Sequence, residues 1–246
     1  RHEPELLSRA DRIPNDTLWA AHQQAKQALV DKVKQLTGTV LNPDQPILGF
    51  ARRMTAYKRA DLLFTDLARL KAIAGKHPLQ IVLAGKAHPK DEAGKSLIEA
   101  LHVHMRELSG LIPMAFLPDY DMDLALLMVS GSDVWLNTPL RPLEASGTSG
   151  MKAAFNGVPQ FSVLDGWWVE GCLEGVTGWA VGEDAPTSNG HDAVDLYDKL
   201  EKVILPLWYD DRAGWISVMK GAISKNAAYF NSHRMMRRYA TEAYLR

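Results

Sequence analysis

Apolar positions along this chain follow two alternating patterns. Short, almost wholly apolar runs, typical of strands buried on both faces, alternate with longer stretches in which apolar residues repeat at helical spacing. The predicted strands span residues 47–53, 80–87, 114–120, 133–139 and 160–165. The predicted helices span residues 15–36, 58–74, 91–108, 121–131 and 149–156. Asp16 is the predicted N-cap of the first helix, because its carboxylate stands where that helix begins.

This alternation predicts an α/β fold with a Rossmann-like parallel sheet and helices on both faces. The end of the chain differs, because three helices follow one another there without a strand. They are predicted over residues 191–207, 211–226 and 231–244. We therefore divide the chain into a leading helical segment (1–45), a Rossmann-like core (46–185) and a helical tail (186–246) that packs around the sheet.

Polar loops follow each predicted strand. They cover residues 51–58, 85–90, 118–121, 137–148 and 165–170. Ligands of a doubly wound sheet bind at the carboxyl ends of the strands, so we expect the functional site among these loops.

The most distinctive loop reads EASGTSGMK, from Glu144 to Lys152. Gly147 and Gly150 bracket Thr148 and Ser149, so the backbone can approach a ligand closely while hydroxyls and helix-start amides face an anion. This pattern predicts a phosphate site. The alternative is that the two hydroxyl residues cap the helix and do nothing more.

Lys152 follows about one turn into the predicted helix, beside small and apolar residues. We expect its amine to be partly buried, and burial lowers an amine's pKa and makes it a nucleophile toward an aldehyde. The alternative is an ordinary lysine that extends from a surface helix into water.

A second cluster, ARRMTAYKR, places Arg52, Arg53 and Lys58 after the first strand. Cations near a helix start oppose the helix dipole, so they indicate a bound dianion, the alternative being a solvated loop. Tyr120, Asn137 and Glu144 follow neighbouring strands and could bind hydroxyl groups of a polar ligand. Three of the eight histidines, His88, His102 and His104, form no convincing metal-ligand pattern, and no metal site is predicted.

Composition sets the limits of these predictions. The 246 residues are 46% hydrophobic, which is typical of a globular protein. The net charge of −1 argues against nucleic-acid binding. Cys172 is the single cysteine, which fits a reducing, cytoplasmic location. No apolar run reaches the roughly 20 residues of a membrane helix. The chain does not begin with methionine, so we expect a fragment or a processed chain.

Five motifs, in one order between residues 19 and 184, resemble the α-glucan phosphorylases, the family of glycogen and starch phosphorylases. They are ARRMTAYKR, AGKAHPKD, LPDYDMDLA, EASGTSGMKAAFNGV and VLDGWWVEG. The resemblance implies the carboxy-terminal domain of a glycosyltransferase-type fold with two Rossmann-like domains. The amino-terminal domain is then absent from this chain, and we expect negligible activity without it.

The resemblance also implies residue roles. Pyridoxal 5'-phosphate would be bound covalently to Lys152, with Thr148 on its phosphate and Tyr120 nearby. Arg53 and Lys58 would hold the substrate phosphate. Sugar hydroxyls would be bound by Glu144, Ser146 and Gly147.

Some positions depart from the animal and plant enzymes and are similar to a shorter bacterial and archaeal branch. Ser149 and Gly150 replace a Gly-Asn pair in the cofactor loop, and Arg52 replaces a lysine while keeping its charge. After LDG stand Trp167 and Trp168, which leaves the sugar contacts there undefined.

The activity that the resemblance implies is reversible phosphorolysis of an α-1,4-glucan such as glycogen, starch or maltodextrin. Inorganic phosphate would release α-glucose 1-phosphate with retention of configuration. Glucan, phosphate, glucose 1-phosphate and the amino-terminal domain are then the partners, and the sequence leaves a homo-oligomer open.

Three other functions stay open. Glycogen-synthase-like glycosyltransferases often carry a second glutamate eight residues after the first, where Lys152 stands here, which argues against a nucleotide-sugar donor. A non-catalytic carbohydrate-binding module would use exposed aromatics such as Trp167 and Trp168. A pyridoxal enzyme acting on amino acids would need an acidic partner for the pyridine nitrogen, and no residue is assigned to that role.

Overall fold

Six parallel strands form the single sheet of this computed structural model, which describes residues 3–182 and 189–245. The strands are β1 (Ile47–Ala51), β2 (Gln80–Ala84), β3 (Met114–Leu117), β4 (Val134–Asn137), β5 (Gln160–Val163) and β6 (Gly178–Val181). They lie in the order β3-β2-β1-β4-β5-β6, which is the strand order of a Rossmann fold. The predicted fold class is therefore confirmed.

Helices connect the strands and continue beyond them. The α-helices are α1 (Asn15–Thr37), α2 (Leu67–Lys76), α3 (Glu92–Glu107), α4 (Met122–Gly131), α5 (Thr148–Phe155), α6 (Trp168–Gly171), α7 (Asn189–Lys199), α8 (Leu205–Asp210), α9 (Arg212–Gly221) and α10 (Ser232–Tyr239). Short 3-10 helices cover Pro4–Arg12, Ala56–Lys58 and Leu62–Phe64. Turns of π-helix, Leu200–Ile204, Ala222–Ala227 and Ala240–Tyr244, extend the tail helices.

Each face of the sheet has its own hydrophobic core, because successive side chains of a strand point to opposite faces. In β1, Leu48 and Phe50 face the core covered by α2, α3 and the tail helices. Ile47 and Ala51 face the smaller core beneath α1, α4 and α5. This two-sided burial explains why the strands are apolar throughout.

Two sequence predictions about helix starts are wrong. The helix predicted over residues 58–74 begins only at Leu67, because Arg59 has a left-handed φ of 44° and the Asp66 side chain caps α2. Asp16 is not an N-cap either. Pro14 occupies that position, and Asp16 lies in the first turn of α1, where its charge favours the helix dipole.

β6 is a strand that the sequence analysis does not predict. Its four residues are too few to show a pattern, and they follow the short helix α6. Pairing with β5, from Gln160 opposite Gly178 to Val163 opposite Val181, defines the strand. Its extended conformation therefore follows from pairing with a neighbouring strand rather than from a pattern in its own residues.

A buried charged cluster lies at the amino ends of β1 and β4. Asp133 Oδ1 is 2.7 Å from His22 Nε2, and Asp133 Oδ2 is 2.8 Å from Lys26 Nζ. The backbone N–H of Ile47 also donates to Oδ2, at 2.7 Å. Burial raises the pKa of Asp133, but the attraction of Lys26 and the hydrogen bond from His22 outweigh it, so that pKa lies below its ordinary value. The cluster joins α1 to the sheet.

Two of the three histidines considered as metal ligands, His102 and His104, pack against aromatic rings. His102 lies 5.2 Å from Phe116 and His104 lies 5.3 Å from Phe64, measured between ring centroids. Residues 3–182 and 189–245 contain no group of three or more His, Cys, Asp or Glu side chains placed to hold a metal. Across the same residues, none of the helices combines the length and the apolar character that a membrane crossing requires.

Candidate active site

A cavity of about 420 Å³ opens at the carboxyl edge of the sheet. Its walls come from the loops after β1, β3 and β4, so it spans the point where the strand order reverses between β1 and β4. The lining residues are Ala51, Arg52, Lys58, Tyr120, Glu144, Ser146, Gly147, Thr148 and Ser149. All except Ala51 are site residues that the sequence predicts.

Glu144 joins the two cationic side chains of this cavity. Its Oε2 lies 2.5 Å from Lys58 Nζ and 3.1 Å from Arg52 Nη1. Despite that short distance, Arg52 Nη1 is buried without a well-aligned hydrogen-bond acceptor among the described residues. One carboxylate thus faces two cations, and an N–H donor is left for a further anion.

Burial also changes how two groups of the cavity titrate. It lowers the pKa of Arg52, and the attraction of Glu144 opposes part of that shift. Burial raises the pKa of Tyr120, with Arg52 acting in the opposite direction. Tyr120 therefore stays a neutral phenol at physiological pH, which can donate a hydrogen bond to a ligand.

The first turn of α5 closes the cavity. Gly147 is the N-cap residue, with a left-handed φ of 84°, and no side chain caps the helix. The Ser149 hydroxyl instead accepts a hydrogen bond from Trp135 Nε1 at 3.2 Å. The alternative that Thr148 and Ser149 serve only as helix caps is therefore wrong. No side-chain oxygen caps the amides of this turn, which suits an anion.

Gly150 has a different reason to be glycine from the one its sequence predicts. It is buried, and a Cβ at this position would overlap Gln160 Oε1 and lie 3.0 Å from Trp167 Nε1. Gly150 does not line the cavity. Its small size lets α5 approach β5, while Gly147 provides the turn.

Replacing Gly150 with alanine is expected to lower the free energy of unfolding by about 1–3 kcal/mol, the usual effect of overpacking a core. Gly75 of α2 is a matched control because a Cβ there meets nothing within 4 Å. Gly75→Ala is expected to raise that free energy by about 0.5–1 kcal/mol. Urea unfolding measures both changes, and equal stability of the two variants would contradict the packing role.

Lys152 lies on the outer face of α5 rather than in the cavity with Glu144. Thr148, Met151, Lys152 and Phe155 recur at helical spacing and line a second cavity, of about 570 Å³. Lys152 is exposed in this chain, so the predicted partial burial of its amine is wrong. Gly150, Ala153 and Ala154 form the buried face of α5 instead. Thr148 lines both cavities and connects them.

Besides Lys152, two more predicted ligand-binding side chains lie outside the first cavity. Arg53 is exposed and does not line it, whereas the adjacent Arg52 does. Asn137 is buried, and its Nδ2 donates to Ser162 Oγ at 2.9 Å. The structure therefore places Arg52, not Arg53, beside Lys58, and it gives Asn137 a role within the sheet.

Trp167 and Trp168 are buried, with exposures of 4% and 0%. Their rings pack together 5.2 Å apart, and Trp167 also packs edge-on against Phe230. A carbohydrate-binding module needs exposed aromatic rings on which a sugar can lie. The buried rings of Trp167 and Trp168 cannot bind a sugar in this way. The carbohydrate-binding alternative therefore loses the feature that supported it.

Arg59 is a residue near the site to which the sequence analysis gives no role. It is buried, and its guanidinium donates to the carbonyl oxygens of Thr138 and Pro139 at 2.9 and 2.8 Å. It also donates to Asp192 of α7 at 2.6 Å. Arg59 thus ties the loop after β4 to the tail directly beside Lys58. The charged run at 52–59 contains it, but contact with a distant helix is not visible in sequence.

A sequence model of a family described as carbohydrate phosphorylase matches residues 7–193. The match includes all of α5, the helix that lines both cavities. This chain belongs to the carbohydrate phosphorylase family. The resemblance predicted from the five motifs is confirmed.

Similar proteins include two phosphorylases, each 44% identical to this chain. The maltodextrin phosphorylase of Thermococcus litoralis matches 95% of this chain over 30% of its own length. The glycogen phosphorylase of Aquifex aeolicus matches 94% of this chain over 37% of its own length. The glycogen phosphorylase of Mycobacterium tuberculosis is 34% identical, over 98% of this chain and 31% of its own length. The chain thus spans about a third of the length of these relatives.

Proposed function

We propose that this chain is the carboxy-terminal, pyridoxal-phosphate-binding part of an α-1,4-glucan phosphorylase. The observation that carries the proposal is the arrangement around α5. Its first turn closes a cavity with two cations, and Lys152 lies one turn further along the same helix. The names of the relatives, maltodextrin phosphorylase and glycogen phosphorylase, agree with it.

The residues present fit the cofactor. A phosphate at the first turn of α5 would accept hydrogen bonds from Arg52 Nη1, which has no well-aligned acceptor among the described residues, and from backbone amides of that turn. Lys152 lies four residues after Thr148, a rise of about 6 Å along the helix. Pyridoxal phosphate carries its aldehyde and its phosphomethyl group on adjacent ring carbons, which suits this separation. Exposure of Lys152 leaves its amine accessible to that aldehyde.

In the proposed reaction, inorganic phosphate displaces the glucan from C1 of the terminal glucose, and the glucan oxygen receives a proton. When bound, the cofactor supplies a phosphate group that can exchange a proton with the substrate phosphate. Arg52 and Lys58 neutralise the two phosphates and hold them close together, which is electrostatic and positional catalysis. Arg53 would join them by turning its exposed side chain into the crevice.

Glu144 would give up its two present partners, Lys58 and Arg52, during this reaction. It now accepts from Lys58, and its carboxylate faces Arg52. An incoming phosphate competes with Glu144 for both cations, which would free the carboxylate to bind a sugar hydroxyl. Ser146 and Gly147 line the same cavity and would add hydroxyl contacts, with Tyr120 as a neutral donor. Lys152 anchors the cofactor and is not the catalytic base.

The test is release of glucose 1-phosphate from maltodextrin and inorganic phosphate. The complete enzyme that contains these residues is expected to release it, whereas residues 1–246 alone are expected to release almost none, because the remaining two thirds of the family's length are needed. Absence of product from the complete enzyme would refute the function. Product from residues 1–246 alone would refute the need for a second domain.

Borohydride reduction tests the role of Lys152 separately. Reduction fixes the cofactor to the lysine and removes its aldehyde chemistry, but it leaves the cofactor phosphate in place. The complete, cofactor-loaded enzyme is expected to keep most of its activity after reduction. Loss of all activity would show that the aldehyde takes part in catalysis, as it does in pyridoxal enzymes that act on amino acids.

The same assays separate the other functions. A glycogen-synthase-like enzyme would require a nucleotide sugar and no phosphate, and a binding module would show no pyridoxal absorbance band that shifts on reduction. A cytoplasmic location and a homo-oligomer stay predictions, to be checked by fractionation and by light scattering of the complete enzyme.

A further inference from the structure

Asp165 follows β5 and connects two loops of the site. It is buried, with an exposure of 7%, and it does not line the cavity. Its Oδ2 accepts the backbone N–H of Glu144 at 2.8 Å, and its Oδ1 accepts the backbone N–H of Gly166 at 2.9 Å. Both carboxylate oxygens are therefore bound to the main chain, one of them across 21 residues of sequence.

The turn that follows Asp165 contacts the same loop. The backbone N–H of Trp167 donates to the carbonyl oxygen of Ser146 at 2.8 Å. Gly166 has a left-handed φ of 56°, and a Cβ there would lie 2.5 Å from that same oxygen and 3.0 Å from the Glu144 carbonyl oxygen. Gly166 is thus required both for its conformation and for the close approach of the two chains.

The loop held in this way carries the residue that faces both cations. The Glu144 carboxylate contacts both Lys58 and Arg52, and a displacement of the Glu144 backbone would move that carboxylate by a similar distance. Between β4 and α5 the loop has no helix or strand of its own. Its position at Glu144 therefore depends on the anchor outside it.

We propose that Asp165 is a positioning residue for Glu144, acting through the hydrogen bond that it accepts from the Glu144 backbone N–H. The inference rests on the proposed phosphorylase function. A carboxylate is required because two N–H donors converge on it. Asparagine would offer one oxygen and place its NH₂ group against the other donor.

The test compares Asp165→Asn with Asp211→Asn in the complete enzyme. Asp211 is a matched control, since its carboxylate also accepts a backbone N–H, from Gly214 at 2.8 Å, but it lies at the start of α9. Asp165→Asn is expected to lower kcat/KM for glucose 1-phosphate roughly 10- to 100-fold, the range for a hydrogen bond to a charged group. Values are expressed per bound cofactor, and Asp211→Asn is expected to leave them unchanged.

A double variant distinguishes positioning from general stability. If Asp165 acts through Glu144, adding Asp165→Asn to Glu144→Gln should change kcat/KM by less than about twofold, because coupled residues are not additive. A full 10-fold further loss would overturn the proposal. Asp165→Glu keeps the carboxylate if the asparagine variant does not fold, and it is expected to lose activity because its carboxylate is displaced by one methylene.

The outcomes separate the two proposals. A wild-type enzyme that produces no glucose 1-phosphate from glucan would refute the function itself. An active wild type whose Asp165 variants, folded and cofactor-loaded, retain wild-type kcat/KM would overturn only the positioning role.

Discussion

Replacing Asp133 with alanine is expected to lower the free energy of unfolding by about 3–5 kcal/mol, the range for removing one partner of a buried ion pair. Asp133 is 1% exposed, and its carboxylate binds Lys26, His22 and the backbone N–H of Ile47. Within residues 3–182 and 189–245, alanine would leave the buried ammonium of Lys26 with only the Gln45 carbonyl oxygen, at 2.7 Å, as its hydrogen-bond partner. Urea unfolding followed by tryptophan fluorescence measures the change.

Asp210→Ala is the control for this prediction, because that residue is exposed at the end of α8. We expect a change within about 0.5 kcal/mol there. A similarly small change for Asp133→Ala would show that the buried cluster contributes little to stability.

The stabilising effect of Asp133 also depends on pH in a defined direction. Its pKa in the folded protein lies below its ordinary value. The contribution is therefore complete above the unfolded pKa of about 3.9 and is lost as pH falls through the lower, folded pKa. Wild type should lose more stability than Asp133→Ala over this acidic range, and parallel curves for the two proteins would contradict the shift.

Replacing Lys152 with alanine in the complete enzyme is expected to abolish covalent attachment of the cofactor. No other side chain of α5 carries an amine. Borohydride treatment followed by peptide mapping should find the pyridoxyl group on the peptide that contains Lys152 in wild type and on no peptide in the variant. Without the cofactor and the proton transfer that its phosphate would supply, activity should fall by about 10²–10⁴-fold or more.

Lys71→Ala is the matched control for Lys152→Ala, since Lys71 is also an exposed lysine within a helix, α2. Its loss should leave labelling and activity unchanged. Labelling of the Lys152→Ala variant at another lysine, with activity retained, would show that the cofactor site has been assigned to the wrong residue.

The elements of the fold were largely predictable from sequence, because strands buried on both faces must be apolar throughout. β2 and β5 begin where predicted, at Gln80 and Gln160. The start of α2 was not predictable from sequence, since the left-handed conformation of Arg59 depends on contacts with Thr138, Pro139 and Asp192. β6 escaped prediction because its pairing partner, not its own four residues, makes it a strand.

The candidate site was predictable at the level of loops, but less so for single side chains. Loops that follow parallel strands meet at one edge, so Lys58, Tyr120 and Glu144 were expected together and do lie together. Which of Arg52 and Arg53 points inward depends on the local path of the backbone after β1. The sequence contains both arginines and cannot choose between them.

By itself, the sequence determined the α/β class, the edge of the sheet at which the candidate cavity lies and the family, because these follow from periodicity, strand ends and short ordered motifs. The tertiary structure alone decided that Lys152 is exposed, that Trp167 and Trp168 are buried, and that Asp165 holds the Glu144 backbone. Burial and hydrogen bonding join residues from separate elements, and local sequence does not record which elements pack together.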